Sequence, residues 1–213
     1  MILHGYWRSG TSYRTRIALN LKGLAYETAP VDLRTGAQKS DAYLALNPQG
    51  LVPALETDDG LVLTQSPAIL EWLEETHPTP ALLPSNAADR AAVRAMAALI
   101  GCDIHPLNNL RVMQFFDREW NVPQAERDEW TLHWMRSGFA ALESMLGASS
   151  ETGRFCHGDT PGLADCCLIP QLYNARRFHL ELEPYPSLRR IEAACLALPA
   201  FDAARPENQV DAV

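Results

Sequence analysis

Residues 7–23 read WRSGTSYRTRIALNLKG, a stretch in which a short apolar run passes into a helix. Apolar side chains recur at the spacing of one helical face: Tyr13, Ile17 and Leu21. Gly23 fits the position just after the last helical residue. Ser9 and Ser12 are both candidates for the N-cap, because a side-chain oxygen there accepts a hydrogen bond from an unpaired backbone N–H. The stretch predicts a helix over residues 12–22.

The start of this predicted helix is rich in hydroxyl groups. Ser9, Gly10 and Thr11 lie where backbone N–H groups point outward and the helix dipole favours negative charge. Hydroxyls donate to an anion at such a place, and Gly10 lets a ligand approach the backbone. A thiolate, a carboxylate or a developing oxyanion would be stabilised there. From these residues alone the alternative, an ordinary capped first helix, stays open.

The first 76 residues show the pattern β-α-β-α-β-β-α. Strands are predicted over residues 1–6, 25–32, 51–55 and 61–63, and helices over 12–22 and 66–76, with a short helix or loop at 34–46. Asp59-Gly60 predicts a hairpin turn before the last strand. Pro53 removes a hydrogen-bond donor from the third strand, so an edge, a bulge or a cis bond is expected there.

Residues 77–88 contain three prolines and no regular period, which is typical of a linker. The rest of the chain is predicted to be helical over 89–100 with a continuation through Phe116, then over 126–146, 163–178 and 186–198. The polar tail, 205–213, is predicted to be frayed. The pattern indicates an α/β plus all-α protein with domains at 1–82 and 89–213.

The composition argues against several classes of function. The net charge of −8 and the absence of Lys/Arg runs argue against binding of nucleic acid. The five cysteines form no CxxC or Cys/His pattern, so no metal site is predicted, and reduced thiols in the cytoplasm are expected. The N-terminus lacks the apolar segment of a signal peptide, and no run approaches the ~20 apolar residues that cross a membrane.

Four motifs, taken in order, resemble the cytosolic glutathione transferases, and among them the zeta class. RSGTSYRTRIALNLKG at 8–23 is similar to the N-terminal signature of that class, and NPQGLVPAL at 47–55 to its cis-proline strand. QSPAILEWLEETHP at 65–78 resembles the γ-glutamyl-binding turn, and GDTPGLADCCLIPQLYNARRF at 158–178 the core motif of the helical domain. The resemblance covers nearly the whole chain. It implies a thioredoxin-like domain (βαβαββα) followed by a C-terminal helical bundle, usually in a homodimer.

The resemblance implies that glutathione is the cofactor. Its cysteinyl backbone would pair with Val52, beside Pro53, as a partial extra strand. Its γ-glutamyl carboxylate would lie at Gln65 and Ser66, where a helix begins. Without the resemblance, Ser66 reads only as a helix N-cap followed by proline at the first helical position.

Ser9, Gly10 and Thr11 would then face the glutathione sulfur. A free thiol has a pKa of about 8.5, and N–H groups at a helix start lower it. Most zeta-class members carry serine and cysteine where this chain has Gly10 and Thr11, so a reaction through a protein cysteine is disfavoured. Ser9 is the expected main donor to the thiolate, with Thr11 beside it, and the choice between the two hydroxyls stays open.

The zeta class implies a cis-butenedioyl dicarboxylate as substrate, whose two carboxylates need cationic partners, preferably arginine. Arg8 adjoins the thiol site. Arg177, beside Arg176, holds the position of the family's substrate-side arginine. Neighbours on a helix point about 100° apart, so which of the pair faces the substrate stays open. A solvated surface charge is the alternative for each arginine.

His105, Asn108 and Arg111 occur in the segment GCDIHPLNNLR. On a single continuous helix all three share one face. The resemblance places that helix opposite the first one, so His105 and Asn108 are expected to bind glutathione and Arg111 the substrate. A hydrogen-bonded interior histidine is the alternative for His105.

The implied reaction is glutathione-dependent cis–trans isomerisation of maleylpyruvate or maleylacetoacetate in the breakdown of aromatic compounds. The thiolate adds to the double bond, the bond rotates, and elimination returns glutathione without a metal or a nucleotide. The RSGTS form resembles a bacterial isomerase subgroup, which favours maleylpyruvate. Two alternatives stay open. A general glutathione transferase or dehalogenating enzyme would need no arginine pair, and a non-catalytic interaction protein would not bind glutathione.

Overall fold

The structure is a computed structural model that describes all 213 residues. It divides into two compact units, one made of Met1–Leu82 and Leu196–Val213, the other of Leu83–Cys195. The sequence pattern predicts domains at 1–82 and 89–213. In the structure the second unit begins already at Leu83, and the C-terminal segment from Leu196 joins the first unit.

A four-stranded mixed sheet with the order β2-β1-β3-β4 organises the first unit. Its strands are β1 (Ile2–Gly5), β2 (Glu27–Pro30), β3 (Ala54–Glu56) and β4 (Val62–Thr64). β1 runs parallel to β2 and antiparallel to β3, and β3 is antiparallel to β4. The register pairs Leu3 with Leu55, and both side chains are fully buried. These two central strands therefore carry the core of the unit.

Three helices follow the strands in the predicted β-α-β-α-β-β-α order: α1 (Gly10–Leu21), α2 (Asp41–Leu46) and α3 (Ser66–Thr76). A 3-10 turn, Ala37–Lys39, precedes α2. α1 buries Tyr13 and Ile17, as their spacing predicts. It begins before residue 12 because Ser9, not Ser12, is its N-cap. The predicted fold class is confirmed.

The second unit is helical: α4 (Ala87–Ala98), α5 (Leu110–Trp120), α6 (Gln124–Ala148), α7 (Leu163–Arg177) and α8 (Pro186–Leu196, whose last residue falls in the first unit). α7 forms its core, with eleven buried residues. The buried Asp165 carboxylate caps α7 by accepting from the backbone N–H groups of Gly162 and Cys156, at 2.8 and 3.0 Å. No helix of the chain combines the length and apolar character needed to cross a membrane.

The predicted continuous helix through residues 89–116 is wrong. After α4 the backbone winds into a π-helical segment, Leu99–Ile104, and a 3-10 turn, His105–Asn108. Asn109 then has extended backbone, with φ −69° and ψ 146°, and caps α5 by accepting from the Arg111 N–H at 3.1 Å. Pro106 contributes to the break because it has no N–H to donate.

The C-terminal segment packs on the first unit, so the predicted frayed tail at 205–213 is also wrong. It includes α9 (Pro199–Ala203) and a 3-10 turn, Pro206–Asn208. Arg16 Nε on α1 donates to the Ala204 carbonyl at 3.0 Å, and Asp211 accepts from the Trp7 N–H at 2.9 Å. Because Arg16 bonds to a backbone carbonyl, the pattern of side chains in the sequence could not predict this contact.

Candidate functional site

The hydroxyls at the start of α1 form a directed chain of hydrogen bonds. Thr11 Oγ1 donates to the Val52 carbonyl oxygen at 2.8 Å, and Ser9 Oγ lies 2.8 Å from Thr11 Oγ1. Because Thr11 has a single hydroxyl hydrogen and Val52 accepts it, Ser9 is the donor in the second bond. Ser9 Oγ also accepts from the Ser12 N–H at 3.3 Å. The Ser9 hydrogen can therefore turn to a ligand without breaking the link between Thr11 and Val52.

The surroundings of this hydroxyl chain favour negative charge. The first turn of α1 contains no acidic residue, so no carboxylate within that turn opposes its unpaired N–H groups and the positive end of the helix dipole. Arg8 is exposed, and its guanidinium carbon lies 5.2 Å from the centre of the Trp7 ring. This cation–π contact restricts Arg8 without using its N–H donors.

Two side-chain hydrogen bonds hold the segment before Pro53 in place. The Val52–Pro53 peptide bond is cis, one of the three predicted alternatives. The preceding carbonyl, of Leu51, accepts from Tyr43 Oη and from Asn47 Nδ2, both at 2.7 Å. Burial raises the pKa of Tyr43 to about 12, so its phenol stays protonated as a donor at neutral pH.

The N-cap of α3 lies one residue before the predicted Ser66. The helix begins at Ser66, and Gln65 takes the N-cap position with φ 67° and ψ 107°. No side chain caps the first turn, and the Gln65 amide donates instead to Gln49 Oε1. The predicted capping role of Ser66 is wrong: Ser66 is the first residue of the helix, and its hydroxyl oxygen accepts a hydrogen bond from Arg14 Nη1 at 3.3 Å.

Within the second unit, the predicted residues do not share one helical face. His105 and Asn108 lie in the 3-10 turn and are half-buried, while Arg111 lies beyond the break, in the first turn of α5, and is exposed. Both polar atoms of the Asn108 amide are buried and have no hydrogen-bond partner.

The structure distinguishes the adjacent arginines at the end of α7. Arg176 forms a bidentate pair with Glu192, with Nε at 3.0 Å from Oε1 and Nη2 at 2.5 Å from Oε2. This ion pair raises the pKa of Arg176. Arg177 Nη1 instead donates to the neutral side chain of Asn174 at 3.1 Å.

Comparison with known proteins accounts for both units. The family model of the glutathione S-transferase N-terminal domain matches residues 8–76, and that of the glutathione S-transferase C-terminal domain matches residues 125–194. The chain belongs to the glutathione S-transferase family. These glutathione S-transferase matches include the starts of α1 and α3 and the end of α7.

Close relatives of this glutathione S-transferase are isomerases. The chain is 52% identical to maleylpyruvate isomerase of a Ralstonia species, over 99% of both chains, and 50% identical to maleylacetoacetate isomerase of Pseudomonas aeruginosa, over 99% of this chain and 98% of the relative. It superimposes with a TM-score of 0.97 on the holo structure of a maleylpyruvate isomerase described as a bacterial zeta-class glutathione S-transferase, at 51% identity and full coverage of both chains. The TM-score is also 0.97, at 42% identity and full coverage of both, for the Methylobacterium extorquens maleylacetoacetate isomerase with bound malonate and glutathione.

The fold also assembles a cluster that local sequence spacing cannot reveal. Asp89, Glu151 and His157, all in the second unit, bring one ligand atom each to within 4.8 Å of one another. His157 Nε2 lies 3.8 Å from Asp89 Oδ2. These are donor types that bind divalent cations, but they are partly exposed, and none belongs to the helix-start sites described above.

Proposed function

We propose that this glutathione S-transferase isomerises a maleyl dicarboxylate, maleylpyruvate or maleylacetoacetate, with glutathione as cofactor, in the breakdown of aromatic compounds. Isomerases of both names are relatives at about half identity over nearly the whole chain. The observation that carries the proposal is the Ser9–Thr11–Val52 hydrogen-bond chain at the positive end of α1. It offers one hydroxyl hydrogen to an anion, which is what a bound thiolate requires.

The donors of the first unit fit a peptide that bears a thiol and a carboxylate. The first turn of α3 has no side-chain cap, so its N–H groups suit the γ-glutamyl carboxylate beside Gln65 and Ser66. The backbone of Val52, next to Pro53, suits the cysteinyl part. When bound, glutathione supplies a sulfur nucleophile that adds to the substrate double bond and leaves again after rotation about that bond.

Each residue at the start of α1 has a distinct role in this proposal. Ser9 donates its hydroxyl hydrogen to the sulfur, and the first-turn N–H groups, including that of Gly10, add to the stabilisation of negative charge. Thr11 keeps its bond to Val52 and orients Ser9. The positive helix end thereby holds a sulfur anion at neutral pH.

Arginines bind the two carboxylates of the substrate in this proposal. Arg8, beside the thiol site, and Arg177 offer planar guanidinium groups for bidentate pairing. The ion pair of Arg176 with Glu192 supports Arg177 as the substrate-side member of the adjacent pair. Arg111 is assigned to the substrate as well.

His105 and Asn108 are assigned to glutathione. The buried and unpartnered amide of Asn108 supports this assignment, because a buried polar group without a partner is costly unless a ligand satisfies it. We further propose that the glutathione-binding domain comprises the predicted residues 1–82 together with the C-terminal segment from Leu196, and that the rest of the predicted range 89–213 forms the substrate domain. We also propose that the protein is a cytoplasmic homodimer. The five free cysteines fit a reducing compartment.

The test is to follow the loss of enol absorbance of maleylpyruvate and of maleylacetoacetate, each with and without glutathione. We expect a glutathione-dependent change for at least one, and the faster one identifies the substrate. No glutathione-dependent change for either would rule out the proposal. Arg8→Ala and Arg177→Ala should slow the isomerisation. If neither does, while conjugation of uncharged electrophiles is fast, a general transferase is the better description.

A further inference from the structure

A buried cation lies behind the start of α3. Arg14, on α1, is only 2% exposed and is one of the largest fully buried side chains of the protein. Its Nη1 donates to Ser66 Oγ at 3.3 Å, and its Nε is buried without a hydrogen-bond partner. No carboxylate of the chain forms an ion pair with it.

Another buried cation of the first unit, Lys22, shows how such a charge is compensated by an anion. Lys22 Nζ is fully buried, and it meets the Glu74 carboxylate and the Pro80 carbonyl, both at 2.6 Å. A buried charge without such compensation costs several kcal/mol. Arg14 has no neutralising anion in the chain and, unlike Arg16, keeps a buried Nε without an acceptor, so a ligand is the available source of negative charge.

Three features of the α3 start favour an anion at this place. The helix dipole presents its positive end there, and no side chain caps the first turn. Gln65 holds a positive φ of 67° with ψ 107°, a strained backbone conformation of the kind that clusters at active sites and ligand clamps. The Arg14 guanidinium has only donors, so Ser66 Oγ is the acceptor in their bond. The Ser66 hydrogen is left to donate to a second partner.

We propose that Arg14 is a positioning residue that selects a ligand with a carboxylate at the start of α3. Its charge attracts the carboxylate, and its bond to Ser66 fixes the hydroxyl that donates to it. The inference rests on the proposed function, in which this carboxylate is the α-carboxylate of the γ-glutamyl group. Sequence reasoning missed Arg14 because a charged residue on an amphipathic helix is ordinarily assigned to the solvent face.

Calorimetry with two ligands tests the role of Arg14. The ligands are glutathione and 4-aminobutanoyl-cysteinyl-glycine, which lacks only that carboxylate. Arg14→Met removes the charge and keeps the volume. We expect it to weaken glutathione binding about 10- to 100-fold, the range for a hydrogen bond to a charged group. Binding of the analogue should change by less than about twofold.

Arg16→Met is the matched control. Arg16 is equally buried on the same helix, but its donors are satisfied by the carbonyls of Trp7 and Ala204, at 2.8 and 3.0 Å. In urea unfolding without ligand, Arg16→Met should lower stability, while Arg14→Met should not, because it removes an uncompensated charge. Glutathione affinity should be retained by Arg16→Met.

The outcomes separate this inference from the proposed function. If the wild type does not bind glutathione, both fail. If the wild type binds glutathione and Arg14→Met binds it equally well, only the role of Arg14 fails. Equal losses for both ligands, or a less stable free protein, would mean that Arg14 serves the fold alone. If Arg14→Met does not fold, Arg14→Lys must keep a preference for glutathione over the analogue, and otherwise the inference is overturned.

Discussion

Replacing Ser9 by alanine should raise the pKa of the thiol of bound glutathione. The hydroxyl chain leaves Ser9 as the group whose hydrogen can turn to the sulfur, because the Thr11 hydrogen is held by the Val52 carbonyl at 2.8 Å. One hydrogen bond to a charged acceptor contributes about 1.5–3 kcal/mol. At about 1.4 kcal/mol for each pKa unit, the thiol pKa should rise by about 1–2 units.

The assay is a pH titration of the bound thiol, followed by the ultraviolet absorbance of the thiolate, after calorimetry has shown that the variant still binds glutathione. Ser9→Ala also removes the N-cap of α1, which should lower the free energy of unfolding by about 1 kcal/mol. That loss is measured separately by urea unfolding and does not enter the titration.

Thr11→Val is the matched variant for this titration. It removes the hydroxyl that orients Ser9 but no hydrogen that points to the sulfur, so the thiol pKa should change less than in Ser9→Ala. A rise in Thr11→Val and none in Ser9→Ala would show that Thr11 is the donor. No rise in either variant would refute the hydroxyl mechanism and leave the helix N–H groups as the source of stabilisation.

Three further predictions follow from the contacts of individual side chains. Arg177→Ala should raise the KM for the dicarboxylate at least about tenfold, the range for losing a charge-assisted hydrogen bond, and should change the free energy of unfolding by no more than about 1 kcal/mol, the scale of contacts made by an exposed charged side chain. Arg176→Ala should instead lower the free energy of unfolding, since it leaves Glu192 without its bidentate partner. Steady-state kinetics and urea unfolding of both variants test this, and a larger rise in KM for Arg176→Ala than for Arg177→Ala would show that Arg176 binds the substrate. Glu74→Gln should lower the free energy of unfolding by about 3–5 kcal/mol, because it leaves the Lys22 charge buried without its carboxylate, and the paired Lys22→Met/Glu74→Leu variant should recover most of that loss. An equal loss in the double variant would show that packing, not charge, sets the effect. Because burial raises the pKa of Tyr43 to about 12 from its ordinary 10, the stability that its protonated phenol contributes is complete below pH 10 and is lost as the pH rises towards 12. Urea unfolding at several alkaline pH values should show a loss of at most about 3 kcal/mol that is absent in Tyr43→Phe, and parallel curves for the two proteins would contradict it.

The order of elements in the first unit could be predicted because each signal is local. The apolar spacing in α1, the Asp59-Gly60 turn and the proline at residue 53 act within a few residues of one another. The helix boundaries were less predictable. The start of α1 depends on which of two serines accepts a hydrogen bond from the backbone N–H groups of the first turn, and Ser9 does so. The predicted continuous helix over residues 89–116 failed because apolar spacing continues across Asn109, whereas the backbone there is extended.

By itself the sequence determined the α/β plus all-α class, the family, and the hydroxyl-rich start of α1, because helix caps, turns and periodic apolar residues are properties of neighbouring residues. Only the tertiary structure decided the direction of the Ser9–Thr11–Val52 hydrogen bonds, the ion pair that occupies Arg176, and the burial of Arg14 behind Ser66. Each of these three features involves residues that lie far apart in the sequence. The first also depends on which acceptor takes the hydrogen of the Thr11 hydroxyl. A hydrogen bond or an ion pair is fixed by distance and direction in space, and the spacing of residues along the chain specifies neither.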